Sequence, residues 1–351
     1  MPNASGDIQV KFRDRYIDPR HGTHEPTTGT PARRPGSVRR TTTTDSLRPN
    51  GINERFILAG TGRDLVTHLD GAAEVVNRAT TRVELAYEGG AIVKHIESSP
   101  VIDNLSALVG KRATTGFRAV IDDDTAAQRG ELVYLLLEEI PVSTLVSGYS
   151  VGNAIRRGDA DADALAKVRN PGPPIHGRDD CAGFRVGSVI DTSGVERGSA
   201  VTGPDATEVT NPDDPLGWHE LTELPPDAMR RWRRHDLWRG DDGQLHIDSF
   251  FRDSHMAPEG LETIIHEYTV EATIDPSTFV VTSCVATPRV LPWQECPEAA
   301  ASAGRLVGLK VETLRTQLRA EMVGPSTCTH LRDQLRELED AIALARLLPP
   351  G

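Results

Sequence analysis

The feature that most constrains the fold is a weak internal repetition, in which two blocks of the chain carry the same succession of segments. In residues 37–157 these are "RFILAGTGRDL", "TRVELAYEGGAIVKHIESSPV" and "RGELVYLLLEEI"; in residues 228–351 they are "IDSFFRDSH", "YTVEATIDPSTFVVTSCVATPRV" and "CTHLRDQLRELEDAI". Landmarks such as Arg63 and Arg252 occur in the same order. Such self-similarity indicates a duplicated folding unit. The alternative is that any two modules of strands followed by helices share such patterns.

Each block begins with alternation of period 2 and ends with a helical period. In "IIHEYTVEATID", His266, Tyr268 and Val270 alternate with Glu and Thr residues, which predicts a strand with one buried face. The segments Ala299 to Glu321 and Cys328 to Leu348 are predicted to be helices, and leucines recur at helical spacing in the second. Strands followed by helices are typical of α+β domains. We therefore predict two similar halves, each an antiparallel β-meander followed by two helices, packed as a pseudo-twofold duplication.

Composition predicts the domain boundaries. Residues 1–36 are rich in Gly, Pro, Thr and charge, which predicts a flexible N-terminal arm. Residues 158–227 contain "RNPGPPIHGRDD" and "GPDATEVTNPDDP", and this proline density predicts a linker and loops. The first α+β repeat then occupies residues 37–157. The second occupies residues 228–351 and carries the candidate site.

Charge and hydropathy limit the classes of partner that the protein is expected to bind. A net charge of −12 argues against nucleic acid and anionic membranes, because both need a phosphate-neutralising surface. The stretch "RRWRRHDLWR", residues 230–239, is interpreted as a solvated strand start whose arginines pair with acids. No run reaches the roughly 18 to 20 apolar residues of a membrane span, and the N-terminus lacks a signal-peptide core. We expect a cytoplasmic protein with a small-molecule substrate; a homo-oligomer stays open.

The two blocks differ where a site would lie. The second has Cys328 and His330 in "CTH" before its last helix, where the first has "RGE". The second has His266 on its strand where the first has about Thr80. Features that both halves share build the fold, whereas unshared residues are candidates for chemistry. The second half is therefore the place to look for a site.

Four segments carry a family resemblance: "RRPGSVRRTTTTDSLRPNG", "FRDSHMAPEGLETIIHEYTVEA", "VLPWQECPEAAASAGRLVG" and "GPSTCTHLRDQLREL". Together they resemble the domain of unknown function 2889 family in its two-part actinobacterial form. The resemblance covers nearly all of the chain after the N-terminal arm. It implies no established activity, so the chemistry has to be argued from the residues.

Alternation places His266 on the apolar side of its strand, where an imidazole of near-neutral pKa suits a general acid or base. The neighbouring strand, "HIDSFFRDSH", puts Asp253 and His255 on one face. If that face is buried, these side chains line one cavity; a purely structural polar network is the alternative. The candidate catalytic residues are Asp253, His255, His266, Tyr268, Cys328 and His330.

Cys328 stands at a predicted helix start, where the positive end of the helix dipole lowers a thiol pKa and favours a nucleophile or metal ligand. The alternative is a helix cap with a small buried cysteine. A tetrahedral Zn²⁺ site is a further hypothesis, although no standard ligand spacing is present. Its ligands would be Cys296, Cys328 and His330, completed by Cys181 or by His255 and His266.

No nucleotide-binding signature is present, so redox chemistry with an organic cofactor is not expected. The residue set favours a small-molecule catabolic enzyme that needs no cofactor. It would perform acid–base chemistry of the lyase, hydratase or hydrolase type on an acyl or aromatic substrate, in a pocket of the C-terminal half. The alternative is a metal-binding or scaffold protein that uses Cys181, Cys296, Cys328 and His330 as ligands, with Zn²⁺ bound.

Overall fold

A computed structural model describes residues 24–87, 90–114, 116–125, 128–161, 179–192 and 203–350. In these residues eight strands form one antiparallel sheet, in the order β4-β3-β2-β1-β5-β6-β7-β8. Each half thus supplies a four-stranded meander, and the two meanders join along β1 and β5. The predicted mixture of helices with antiparallel meanders is confirmed. The strands are β1 Ser37–Leu47, β2 Phe56–Thr67, β3 Ala73–Ala86, β4 Ile92–Ser99, β5 Met229–Arg239, β6 Leu245–Met256, β7 Glu262–Ile274 and β8 Val281–Val290.

Short helices cover one face of the sheet, and there are more of them than the predicted two per half. No single helix in the described ranges is long and apolar enough to cross a membrane, although the bent pair Leu132–Glu138 and Ile140–Arg157 passes that test by length and composition. The first of these two helices is entirely buried in this fold. The α-helices are α1 Phe117–Thr125, α2 Leu132–Glu138, α3 Ile140–Val146, α4 Gly148–Arg157, α5 Val189–Thr192, α6 Leu314–Glu321, α7 Thr329–Arg336 and α8 Ala341–Ala345.

The prediction of one continuous helix over residues 299–321 is wrong. A 3-10 helix, Cys296–Leu306, comes first, and Gly308 then adopts a φ of 88°. This is the left-handed region, which glycine enters without steric cost and which a helix cannot continue through. The chain becomes α-helical again only at α6. The helix predicted from Cys328 is likewise divided, because a 3-10 turn, Glu337–Asp340, separates α7 from α8.

Both faces of the central strands are buried, so the predicted solvated start of β5 is wrong. Arg231 and Arg233 point to the helical face, where both pair with Glu139 at the junction of α2 and α3. Trp232, between them, points to the opposite face and packs edge-on against Trp218, with ring centroids 5.2 Å apart. The expectation that these arginines pair with acids is confirmed, but the pairs lie in the interior.

The opposite face is covered by two extended segments, residues 24–36 and 203–221. The two segments are hydrogen-bonded to each other. The Trp218 indole N–H donates to the Thr30 hydroxyl at 2.7 Å, and the Gly29 N–H donates to the Glu208 carbonyl at 2.7 Å. Residues 24–36 of the predicted arm are therefore hydrogen-bonded to the protein. Residues 1–23 and much of the predicted linker lie outside the described ranges.

The seam between β1 and β5 is reciprocal. Arg39 lies opposite Asp236, and Asp45 lies opposite Arg230. The Arg39 Nε to Asp236 Oδ1 distance is 2.6 Å, and the Arg230 Nε to Asp45 Oδ1 distance is 2.7 Å. The same pair of residue types thus occurs twice across the seam, with the two strands exchanging donor and acceptor.

Candidate functional site

The centre of the candidate site is a cross-strand pair, Asp253 on β6 and His266 on β7. Asp253 Oδ2 accepts a hydrogen bond from His266 Nδ1 at 3.0 Å, and both side chains are fully buried. A carboxylate can only accept here, so the proton lies on Nδ1 and the basic lone pair lies on Nε2. Burial lowers the pKa of His266, although Asp253 opposes the shift. The imidazole is therefore neutral at pH 7.

His330, on α7, stacks on His266 with ring centroids 3.7 Å apart and an interplanar angle of 24°. Tyr149, on α4, meets the His266 ring edge-on at 5.6 Å. Two imidazolium charges at this separation would repel strongly, so the stacked pair holds at most one extra proton. The structure thus brings together three of the sequence-predicted residues: Asp253, His266 and His330.

The contacts that the structure gives His255 and Tyr268 are with other groups. His255 is opposite Thr263, beyond a β-bulge that follows Asp253, and its Nε2 lies 4.0 Å from Asp227 Oδ1. Burial lowers the pKa of His255 to about 4. Tyr268 stacks on Phe251 at 5.9 Å. The bulge shifts the pairing register by one residue, which is why period-2 counting placed His255 too close to His266.

The Tyr268 hydroxyl donates to the Cys296 carbonyl at 3.5 Å and also hydrogen-bonds with the Cys328 side chain. Cys181, Cys296 and Cys328 are all buried. Cys328 does precede α7 as its N-cap, but its side chain makes no capping hydrogen bond. Burial raises the pKa of Cys328, so the prediction of a dipole-lowered pKa is wrong. Desolvation outweighs the field of one short helix. These cysteines are thiols at pH 7 and poor nucleophiles.

The predicted zinc ligands Cys296, Cys328 and His330 do not form a compact ligand set. In the described part of the chain, two groups of three side chains have ligand atoms within 4.8 Å of one another, and neither contains a cysteine. These groups are Asp253 with His266 and His330, and Glu139 with Asp333 and Glu337.

Stacking decides what the first group can do as it stands. The lone pair of each imidazole lies in its own ring plane, and the two planes are near-parallel, with ring centroids 3.7 Å apart. Neither lone pair then points at an ion between the rings, as Zn²⁺ bound to both would require. Joint chelation by His266 and His330 therefore requires a turn of the His330 ring, and so does a direct N–H···N hydrogen bond between them, because imidazole donors and acceptors lie in the ring plane.

Comparison with known proteins yields one family match. Residues 229–344 match the model of a family described as Protein of unknown function (DUF2889). This segment belongs to the DUF2889 family. No curated protein and no solved structure matches the chain. The segment runs from the start of β5 into α8, and it contains Asp253, His266 and His330. Tyr149 and Glu139 lie outside it, so the first half completes the surroundings of the site.

The sequence analysis missed a buried ion cluster at the junction of the DUF2889 segment with the first half. Arg233 pairs through its Nε with Glu139 at 2.6 Å and through its Nη1 with Glu337 at 2.8 Å. Its Nη2 donates to Asp333, which also accepts from Arg118 on α1. Two signals were available: Arg231 and Arg233, two apart on β5, and acids four apart on the helix that begins at α7.

This cluster binds one carboxyl proton more tightly in the folded state than in the unfolded state. Burial raises the pKa of Glu139 and of Glu337, and neighbouring carboxylates add to the shift, which outweighs the arginines. Asp333 differs, because Arg118, Arg233 and Arg231 lower its pKa in spite of its burial. A shared proton between Glu139 and Glu337 follows.

The proton shared by Glu139 and Glu337 makes the stability of the fold depend on pH. The folded state holds more protons than the unfolded state above the ordinary glutamate pKa of about 4.3, so the free energy of unfolding falls as pH rises from there through the raised pKa. Glu337→Gln removes one of the two groups that share the proton, so it should flatten this fall. Each tenfold difference in proton affinity between the two states is worth roughly 1.4 kcal/mol. Urea titrations between about pH 5 and pH 8.5 measure it. The exposed Glu54→Gln variant should keep the wild-type slope, and an unchanged slope in Glu337→Gln would contradict the shared proton.

Proposed function

We propose that this chain is a cytoplasmic enzyme that performs cofactor-free acid–base chemistry on a small acyl or aromatic substrate, as a lyase, hydratase or hydrolase. The observation that carries the proposal is the buried 3.0 Å hydrogen bond from His266 to Asp253, with His330 stacked on the same imidazole. A neutral histidine whose tautomer is fixed by a carboxylate is the arrangement that general base catalysis needs.

In this proposal Asp253 holds His266 with its Nδ1 protonated, and the Nε2 atom accepts and later returns a proton. Asp253 also stabilises the imidazolium that forms, since its carboxylate stays beside the new charge. His330 is half-buried, whereas His266 is fully buried. His330 therefore lies nearer to solvent, and in this proposal its ring turns out of the stack to pass the proton between His266 and the substrate.

We also propose that the two halves are a pseudo-twofold duplication, the two-part form of the family. The reciprocal pairs Arg39 with Asp236 and Arg230 with Asp45 support it, because a twofold axis makes each contact occur twice. A β-bulge follows the aspartate of β2, Asp64, just as one follows Asp253 of β6.

The duplication supplies an internal comparison for the site. Asn77 lies opposite Asp64, as His266 lies opposite Asp253. The Asn77 amide donates to Asp64 Oδ2 at 2.9 Å, so the first half keeps the hydrogen bond, but its donor does not titrate. Proton transfer is then a property of the second half alone.

A second candidate function is metal-dependent catalysis or metal binding. It is favoured by the ligand atoms of Asp253, His266 and His330, which all lie within 4.8 Å of one another. Two histidines and a carboxylate are common ligands of Zn²⁺ and other divalent ions. This candidate requires the His330 ring to turn out of the stack.

One experiment separates the two functions. Protein purified without added ions is analysed for metal and screened for hydrolysis of acyl and aryl esters and for hydration of unsaturated acids. We expect turnover that a chelator does not remove, that His266→Gln abolishes, and that His95→Gln, at an exposed position, leaves intact. Stoichiometric metal that is lost in both His266→Gln and His330→Ala would replace the first function by the second.

A further inference from the structure

A cleft of about 390 Å³ opens between helices of the two halves. Helices α1 and α3 line one side, and α6 and α7 line the other. Its volume falls within the range of roughly 300–1,000 Å³ that small-molecule sites occupy. Thr329 of α7 lines the cleft, and the next residue along the helix is His330. The cleft therefore lies beside the proposed acid–base centre.

The arginines that line this cleft differ in how their charge is balanced. Arg118 donates to Asp333, and Arg336 lies 2.8 Å from a Glu138 oxygen, so these two are paired. Arg332 is half-buried, and its Nη1 donates to the Met322 carbonyl at 3.0 Å. Of the described carboxylates, none lies within ion-pair distance of Arg332. A partly desolvated guanidinium of this kind is suited to a bidentate anionic group.

Further residues of the lining define the ligand. Arg319, exposed at the end of α6, adds a second positive charge that has no ion-pair partner in the described ranges. Val142 and Leu145 of α3 give an apolar wall. Asp179 and Asp180 also line the cleft and are exposed, so water screens their charge as it screens that of Arg319; the half-buried Arg332 is screened less.

We propose that this cleft binds an organic carboxylate, whose charged group pairs with Arg332 and Arg319 and whose apolar body packs on Val142 and Leu145. That this carboxylate is the substrate rests on the proposed function. The binding itself does not, because no residue of the Asp253 and His266 pair contributes to the cleft lining.

Isothermal titration of the full chain with benzoate tests the inference, with benzamide as the neutral isostere and inorganic phosphate as the compact anion. Benzoate should bind saturably and benzamide should not. Arg332→Gln should weaken benzoate binding about tenfold or more, the value of one charge-assisted hydrogen bond. Arg346→Gln, which removes an exposed charge outside the cleft, should have no effect. Arg319→Gln provides a second test at an exposed position that leaves the fold intact.

Three results would overturn the inference: no saturable binding of benzoate, binding that both arginine variants leave unchanged, or Arg332-dependent binding of phosphate without benzoate. The His266→Gln variant makes the two proposals separable. It should bind benzoate as the wild type does, even though turnover is lost. Binding without turnover in the wild type would refute the proposed function and leave the carboxylate site standing.

Discussion

Asp253→Asn should lower kcat by about 10²–10⁴-fold while leaving KM within a few-fold of the wild-type value. The asparagine amide can donate to His266 Nδ1, which would move the proton to Nε2 and remove the base. The variant would also lose the charge that stabilises the imidazolium. Steady-state kinetics on the substrate found by screening measure the effect, and the pH profile of kcat should lose its acidic limb.

The first half contains a matched control for this variant. Asp64 is as buried as Asp253, and its carboxylate pairs with Arg40 at 2.7 Å as that of Asp253 pairs with Arg231 at 3.0 Å. Asp64→Asn should therefore cost comparable stability but leave kcat per folded molecule unchanged. Equal losses of kcat in both variants would mean that Asp253 acts only through the fold.

Arg233→Leu should lower the free energy of unfolding by about 3–5 kcal/mol, the cost of leaving a buried ion cluster without one of its partners. Three buried carboxyl groups, those of Glu139, Asp333 and Glu337, would lose a cation at once. Urea denaturation at pH 7, followed by circular dichroism, measures the change in midpoint.

A surface pair calibrates that measurement. Arg55 lies 2.8 Å from Glu84, and its side chain is 56% exposed. Arg55→Leu should cost less than about 1 kcal/mol, because water screens the pair. If Arg233→Leu cost no more than Arg55→Leu, burial of the ion cluster would not make the loss of Arg233 costly. Combining Arg233→Leu with Glu139→Leu should recover part of the loss, since fewer charges remain unpaired.

Local alternation was enough to predict the strands and part of the site. "IIHEYTVEATID" lies in β7, and its apolar side faces the helices as expected. Because consecutive strands of a meander are neighbours, Asp253 and His266 could be expected to lie side by side. His330 was a candidate from its place in a pattern shared with the first half, but its stacking on His266 depends on how α7 packs.

The failures have physical causes that a single sequence does not reveal. Comparison of the two sequence blocks made about Thr80 the counterpart of His266 in the first half. The strand register makes Asn77 its counterpart, because Asn77 pairs with Asp64 as His266 pairs with Asp253. An alignment of weakly similar hairpins slips easily by a few residues. Arginines on both sides of β5 resemble a solvated strand. Their burial depends on acids that arrive from distant helices, such as Asp333, and on a covering segment that contains Trp218.

The reciprocal seam between β1 and β5 means that the family segment and the autonomous folding unit have different limits. A polypeptide that began at β5 would leave Arg230 without Asp45 and would expose the full edge of that strand to solvent. It would also lack Glu139, which faces both Arg231 and Arg233. The folded state of the DUF2889 segment therefore depends on contacts with the first half. A truncated form has to be co-expressed with the first half as a complementing fragment.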